Sequence, residues 1–310
     1  MISIKWLAVS ALTMTALVLT LIPTLQAETR CPGNVDSVRL PLASRSRIIV
    51  PVEINHSGPY DFLLDTGAQV TMVDPAIATE LNLKIQAGAD FGGVGFLKHA
   101  TLAHADLLEA GSKAVADSLV LVQDLDGFQA AGLRIRGVLG GNFLGHFNVL
   151  IDYSHRMLCL DDANRMQAEV KGEHIALASM PQTVEELPGT MPLVVTVRMP
   201  SSGTRPLLLK LDSGSNVTFI YDPDKCLALG LQKGSRVQGN SADGAQRGFA
   251  LLPPQDMQIG RRRLPLVPLV RLASNGRDIP AHEVDGLLTT GLFRSVYISY
   301  ADRFVVLDPW

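Results

Sequence analysis

Apolar residues along this chain fall in short runs broken by glycine, proline and small polar residues. Ile48 to Ile54 and Tyr60 to Leu64 read as two β-strands, and so do Leu193 to Val197 and Pro206 to Leu211. Turns containing Ser57-Gly58-Pro59 and Ser201-Ser202-Gly203 separate the members of each pair, which predicts two hairpins. A helix start follows each hairpin. Asp74 and Asp222 are N-cap residues, with Pro75 and Pro223 at the first helical position, where a missing N–H costs nothing. These helices are short, ending near Leu83 and at Gly230. Each half then closes on a β-rich stretch, Asn148 to Leu160 and Val296 to Leu307, and no long amphipathic helix interrupts the pattern.

The two halves superpose at an offset of 147 positions. Asp65 falls on Asp212, Ile151 on Ile298, Tyr153 on Tyr300, Arg156 on Arg303, Leu160 on Leu307 and Asp161 on Asp308, while Asp74-Pro75 meets Asp222-Pro223 with a slip of one. An ordered set of matches predicts an internal duplication. The expected fold is mostly β, with two β-barrel-like lobes related by a pseudo-two-fold and only short helices. Residues 28–175 would form the first lobe and 191–310 the second. A linker is expected over 176–190, in a stretch marked by Pro181, Glu185, Glu186, Pro188 and Gly189.

Residues 1–27 stand apart. Lys5 is their only charge, Trp6 to Ala27 is uncharged and largely apolar, and Leu25-Gln26-Ala27 offers a small residue for cleavage before Glu28. The expectation is a signal peptide and an exported protein, periplasmic or secreted. The alternative is a membrane anchor formed by residues 6–27, long enough to span a bilayer if it stays uncleaved. Hydrophobic residues make up 47% of the chain and charged ones 18%, so a packed core is within reach. The net charge of −3 and the lack of a basic face argue against nucleic acid as a partner. Arg261-Arg262-Arg263, flanked by Gly260 and Pro265, reads as a solvated turn. Three cysteines, Cys31, Cys159 and Cys226, allow at most one internal disulfide, and their spacing does not choose between the pairs or three thiols. His146, His155 and His282 have no metal-ligand spacing, so neither a metal nor another cofactor is expected.

The chemistry sits in two turns. Leu63-Leu64-Asp65-Thr66-Gly67-Ala68 and Leu209-Lys210-Leu211-Asp212-Ser213-Gly214-Ser215 each place one aspartate at the end of an apolar run. Each aspartate is followed by a tight turn that the glycine permits. Two carboxylates held about 3 Å apart cannot both ionise, so one proton is shared and the titrations split. The ionised member can take a proton from water while its partner hydrogen-bonds a carbonyl.

These loops, with Thr71 and Thr218 each six residues beyond their aspartate, resemble the active-site loops of the pepsin and retropepsin group of aspartic peptidases. Gly137-Val138-Leu139-Gly140 resembles the apolar-apolar-Gly segment that packs beside the catalytic loop in that family. Both motifs lie in one chain, so the likeness is to the pepsin-like single-chain form. It implies Asp65 and Asp212 as catalytic residues, with Thr66, Gly67, Ala68, Ser213, Gly214 and Ser215 as supporting loops in which Thr66 and Ser213 hydroxyls cross-link the pair. It implies a monomer acting on a polypeptide substrate as an endopeptidase. Phe91-Gly92-Gly93-Val94-Gly95-Phe96 stands where the family's flap hairpin would be, with a counterpart near Gly239 to Gly248. No flap tyrosine is present.

The loops are unequal. Ser215 is expected to donate its hydroxyl to Asp212 and favour its charged form, leaving the proton on Asp65, because Ala68 offers nothing equivalent. Thr289 in Leu287-Leu288-Thr289 replaces the glycine of Val138-Leu139-Gly140 and is expected to push Asp212 off position. On that ground, and for want of a flap tyrosine, the alternative function is a catalytically inactive pepsin-like peptide-binding or scaffold protein.

Overall fold

The computed structural model describes residues 30–39, 47–94, 96–130, 132–180, 191–200, 205–221, 226, 234–240, 245–273 and 284–310. The segment 1–27, residues 181–190 of the expected linker, the 201–203 turn and the helix start at Asp222-Pro223 with its end at Gly230 all lie outside these residues.

The first half begins with β1 (Ser37–Arg39), β2 (Ile49–Ile54) and β3 (Ser57–Leu64). The hairpin between β2 and β3 turns at Asn55 and His56, both in the left-handed region with φ of 50° and 62°. Ser57, Gly58 and Pro59 lie in β3 instead, which corrects the expected turn. Asn is among the residues that most readily take such a φ, and the two-residue turn matches the twist of the flanking strands. Next come β4 (Met72–Val73) and α1 (Pro75–Glu80). The Asp74 carboxylate caps α1 by accepting from the amides of Ala76 and Ile77, with Pro75 at the first position as expected. The half continues with β5 (Lys84–Gly93), β6 (Phe96–Ala110), β7 (Lys113–Val122), α2 (Asp126–Ala130), β8 (Gly137–Leu139), α3 (Gly141–Leu144), β9 (Asn148–Asp152) and β10 (Met157–Asp161).

The remaining strands are β11 (Ile175–Ala176), β12 (Val194–Arg198), β13 (Leu207–Asp212), β14 (Thr218–Ile220), β15 (Ser235–Asn240), β16 (Gln246–Ile259), β17 (Arg262–Leu272), β18 (Gly286–Thr289), β19 (Phe293–Ser299) and β20 (Phe304–Pro309). The fold is mostly β with few short helices. Strand order in one seven-stranded sheet is β2-β3-β8-β4-β7-β6-β5, and in the other β12-β13-β18-β14-β17-β16-β15. Extra β2–β6 and β12–β16 pairings curl each sheet back on itself. The predicted hairpin strands and closing β-rich stretches are all present. Arg261 sits at the β16–β17 turn, where Gly260 has a φ of 56° and Glu173 accepts from the Arg261 amide.

A third sheet, ordered β1-β10-β9-β19-β20-β11, takes strands from both halves. Alternate residues of β9 and β19 point to opposite faces. Val149, Ile151, Val296 and Ile298 join one continuous core with Leu64 and Leu139 on one side and Leu211 and Leu288 on the other. Leu150 and Tyr297 face a smaller cluster with Phe304, Val306 and Met166. Cys31 and Cys159 lie in that cluster and form a disulfide with Cα atoms 5.9 Å apart, while Cys226 is buried elsewhere in the core. Among the described residues no helix is long and apolar enough to cross a membrane.

Candidate active site

Each aspartate leaves the end of a strand that is held on both sides. Strand β3 pairs in parallel with β8, matching Leu64 with Leu139, and the Asp65 amide donates to the Leu139 carbonyl at 3.1 Å. Strand β13 pairs in parallel with β18 and matches Asp212 with Thr289. Neighbouring amides supply the next backbone contacts, Leu64 N–H donating to Ile48 and Leu211 N–H to Leu193. Leu64 and Leu211 are wholly buried, so the two turns stand on a fixed base.

Beneath the carboxylates the turns are cross-linked. The Thr66 amide donates to Ser213 Oγ at 3.0 Å, and the Ser213 amide donates to Thr66 Oγ1 at 3.1 Å. Each hydroxyl then donates onward across the pair, Thr66 Oγ1 to the Leu211 carbonyl and Ser213 Oγ to the Leu64 carbonyl. The glycines are required by proximity. A Cβ on Gly67 would come within 2.8 Å of Asp212 Cγ, and one on Gly214 within 2.6 Å of Asp65 Cγ.

Asp65 and Asp212 share a side-chain hydrogen bond. Asp65 Oδ1 accepts from the amides of Gly67 (2.8 Å) and Ala68 (3.1 Å), and Asp212 Oδ1 accepts from the Ser215 amide (2.8 Å). Burial pushes both above the usual carboxylate range, because a buried charge loses its hydration. Asp212, only 8% exposed, is raised further by the charge of Asp65 and reaches about 7. Asp65 keeps some exposure, and the amides of Gly67 and Ala68 and the charge of Lys210 oppose its rise. Lys210 and the amides of Ser215 and Gly214 oppose the rise of Asp212 as well, so it is the deeper burial of Asp212 and the charge of Asp65 acting on it that favour the proton on Asp212 and the charge on Asp65.

That reverses the expected assignment. The Ser215 hydroxyl has a single proton and donates it to the Val217 carbonyl at 2.8 Å, so it has none for Asp212. The expectation for Thr289 is also overturned. Its Oγ1 donates to the Ser215 carbonyl at 2.6 Å and accepts from the Gly291 amide at 3.2 Å, capping a 3₁₀ turn over Thr290–Leu292. In the first half the matching Ala68 carbonyl accepts from the Gly141 amide. The threonine hydroxyl thus takes the place of a backbone donor, and Asp212 stays opposite Asp65.

The packing around the loops differs in a further way. Thr71 Oγ1 donates to Asn142 Oδ1 at 2.8 Å and accepts from the Gly140 amide at 3.1 Å. Thr218 Oγ1, buried at the matching position, has no hydrogen-bond partner among the described residues, because Gly291 stands where Asn142 does. Tyr153 donates to or accepts from Thr290 Oγ1 at 2.5 Å, whereas its counterpart Tyr300 faces Gly141 and its hydroxyl is unpartnered among the described residues. Asn142 and Lys210 were not singled out by sequence reading. Lys210 had one visible signal, a cation inside an apolar strand run.

The expected flap segment forms the end of the β5–β6 hairpin, where Gly93 pairs with Phe96. Val94 packs against the cluster formed by Phe219, Tyr221, Val270, Leu272 and Leu287 of the second half. Gly95 and the side chains of Phe91 and Phe96 lie outside the described residues. A second hairpin, β15–β16, occupies the expected Gly239 to Gly248 region, with residues 241–244 outside the described ones. No group of three or more His, Cys, Asp or Glu is placed to hold a metal among the described residues.

The two loop aspartates are thus joined by a hydrogen bond above a pair of cross-linked hydroxyls. Residues 50–143 match a family model described as aspartyl protease, a span that includes Asp65 and the Gly137–Gly140 segment. The chain thus resembles the retropepsin and pepsin-like aspartic peptidases, which are hydrolases of proteins. Among solved structures, a retropepsin-like aspartic protease from Rickettsia conorii aligns at 18% identity and a TM-score of 0.30, covering 41% of this chain and 90% of that one. Comparison with curated proteins found no match.

Proposed function

We propose that the chain is an exported aspartic endopeptidase that hydrolyses peptide bonds with a water activated between Asp65 and Asp212. The observation that carries this reading is the reciprocal Thr66–Ser213 cross-link beneath two carboxylates joined by a hydrogen bond. Asp65, ionised, takes a proton from the water. Asp212, protonated, donates to the substrate carbonyl and stabilises the charge that develops on its oxygen.

We read the two like-ordered sheets as two lobes related by a pseudo-two-fold and descended from a duplication, spanning 28–175 and 191–310 with 176–190 between them. Their strand orders support this, as does the 147-residue spacing of Thr66 and Ser213. The extended polypeptide substrate would lie between the lobes under the β5–β6 hairpin, and both half-sites in one chain support a monomer. Export, to the periplasm or beyond, rests on residues 1–27 and is supported by the Cys31–Cys159 disulfide, a bond favoured in oxidising compartments. The anchored form would keep residues 6–27 in a membrane. The scaffold alternative drew on Thr289 displacing Asp212 and on the missing flap tyrosine, and the hydrogen bond between the carboxylates removes the first of these grounds.

The test is incubation of the purified mature protein with a denatured protein substrate from pH 3 to 7, beside Asp65→Asn and Asp212→Asn. Cleavage by the parent alone is expected. No cleavage at any pH, with pepstatin-like inhibitors failing to bind, overturns the reading.

A further inference from the structure

The two halves also differ two positions before each catalytic aspartate, where one side chain is apolar and the other charged. Lys210 in β13 occupies the place that Leu63 holds in β3, 147 positions earlier. Leu63 is fully buried in an apolar cluster with Leu125, Leu133, Ile135 and Val138. Lys210 instead crosses to the opposite loop, where its Nζ donates to the Gly67 carbonyl at 2.8 Å. It lines a narrow recess with Thr66, Gly67, Gly141, Pro192 and Tyr300.

The peptide unit it grips matters. The Gly67 carbonyl belongs to the same peptide as the Ala68 N–H, and that N–H donates to Asp65 Oδ1 at 3.1 Å. An ammonium on the oxygen polarises the peptide and strengthens the N–H as a donor, since hydrogen bonds in series reinforce one another in a low-dielectric setting. Lys210, the Gly67–Ala68 peptide and Asp65 thus form one chain of charge-assisted contacts. The mirror chain would run from residue 63 through the Gly214–Ser215 peptide to Asp212 Oδ1. Leucine carries no charge to start it.

Resting on the acid/base reading of the pair, we propose that Lys210 is a positioning residue that selects Asp65 as the ionised member of the dyad. The other groups facing the carboxylates do not make this choice. Tyr153 and Tyr221 face Asp212, and Tyr221 and Tyr300 face Asp65, all raised well above the ordinary tyrosine value by burial and therefore neutral. Arg47 interacts with Asp212 and is itself lowered by burial, so its charge works in the opposite sense, towards ionising Asp212. Lys210 also pulls down Asp212 through space, but only Asp65 receives it through the shared peptide as well.

The experiment is an NMR titration of protein carrying ¹³Cγ-labelled aspartate, with Asp65→Asn and Asp212→Asn assigning the two resonances. In the parent, the lower-titrating member is expected to be Asp65. In Lys210→Met its midpoint rises by about one pH unit, and the acid limb of kcat/KM moves the same way. Lys210→Arg keeps the parent midpoint to within a few tenths. An unmoved Asp65 midpoint in Lys210→Met, or an equal rise in Lys210→Arg, overturns the proposal, the second by showing that packing rather than charge matters. If Lys210→Met fails to fold, Lys210→Gln is titrated in its place with the same expected rise. The NMR readout needs no turnover, so an inactive protein would sink the peptidase reading while still deciding the role of Lys210.

Discussion

Thr66 and Ser213 lie 147 positions apart, yet each donates its amide to the other's hydroxyl, at 3.0 and 3.1 Å. The link is buried and each hydroxyl is fully engaged, so neither side can be cut without leaving a desolvated amide behind. Ser213→Ala orphans the Thr66 amide and the Leu64 carbonyl. The expected loss is about 2–4 kcal/mol of stability, read by urea denaturation, together with most of the peptidase activity. Thr66→Ser keeps the hydroxyl and should stay within about 1 kcal/mol of the parent.

Gly214→Ala would set a methyl 2.6 Å from Asp65 Cγ. The carboxylate must move, so activity should fall by at least about 100-fold while far-ultraviolet circular dichroism stays that of the parent. Activity within a few-fold of the parent would show that the loops do not need this closeness.

Asp212 binds its proton up to about pH 7 in the folded chain, whereas in the unfolded chain it loses it near the ordinary aspartate value of about 3.9. Between those limits the native state holds more protons than the unfolded one, so stability is full below about pH 4 and falls as the pH rises towards 7. The slope approaches roughly 1.4 kcal/mol per pH unit for one group. Asp212→Asn, which cannot titrate, should flatten it. Urea midpoints measured every half unit from pH 4 to 8 decide this, and equal slopes in parent and variant would refute it.

Thr289→Gly restores the glycine seen at the matching position of the first half, but it is expected to weaken the protein. It removes the bond to the Ser215 carbonyl and the cap on Gly291, at a cost of about 1–2 kcal/mol. A variant as stable as the parent in urea would show that the hydroxyl is dispensable.

The Cys31–Cys159 bond joins residues 128 positions apart and pins the segment before β1 to β10. Opening so long a loop in the unfolded state costs roughly 3–5 kcal/mol of stability. Unfolding midpoints with and without dithiothreitol, and for Cys31→Ser, should fall together.

Much of this was legible in the chain. Hairpin strands, the Asp74 cap and both aspartate turns follow from local periodicity and turn chemistry, which depend on neighbours in sequence. What was missed depends on neighbours in space. Ser215 has a suitable hydroxyl, but only the fold turns it to Val217. Thr289 looked too large for a glycine's place until its bond to Ser215 accounted for it. Gly58-Pro59 drew the expected turn two residues late, because proline at the irregularity in the β2–β3 pairing looks like a turn when read alone. The choice among three cysteines was a question of which pair of distant segments meets, and spacing holds no answer to it.

The β9–β19 pairing, from Asp152 opposite Ser295 to Asn148 opposite Ser299, stitches the halves together along the floor of the molecule. A site assembled from two separate identical chains is diluted by its own dissociation and must carry every substitution twice. Here the halves meet as a unimolecular event, so specific activity should not change with enzyme concentration. A lysine at 210 can therefore stand where the other half holds a leucine at 63, so the two sides of one site need not be equal.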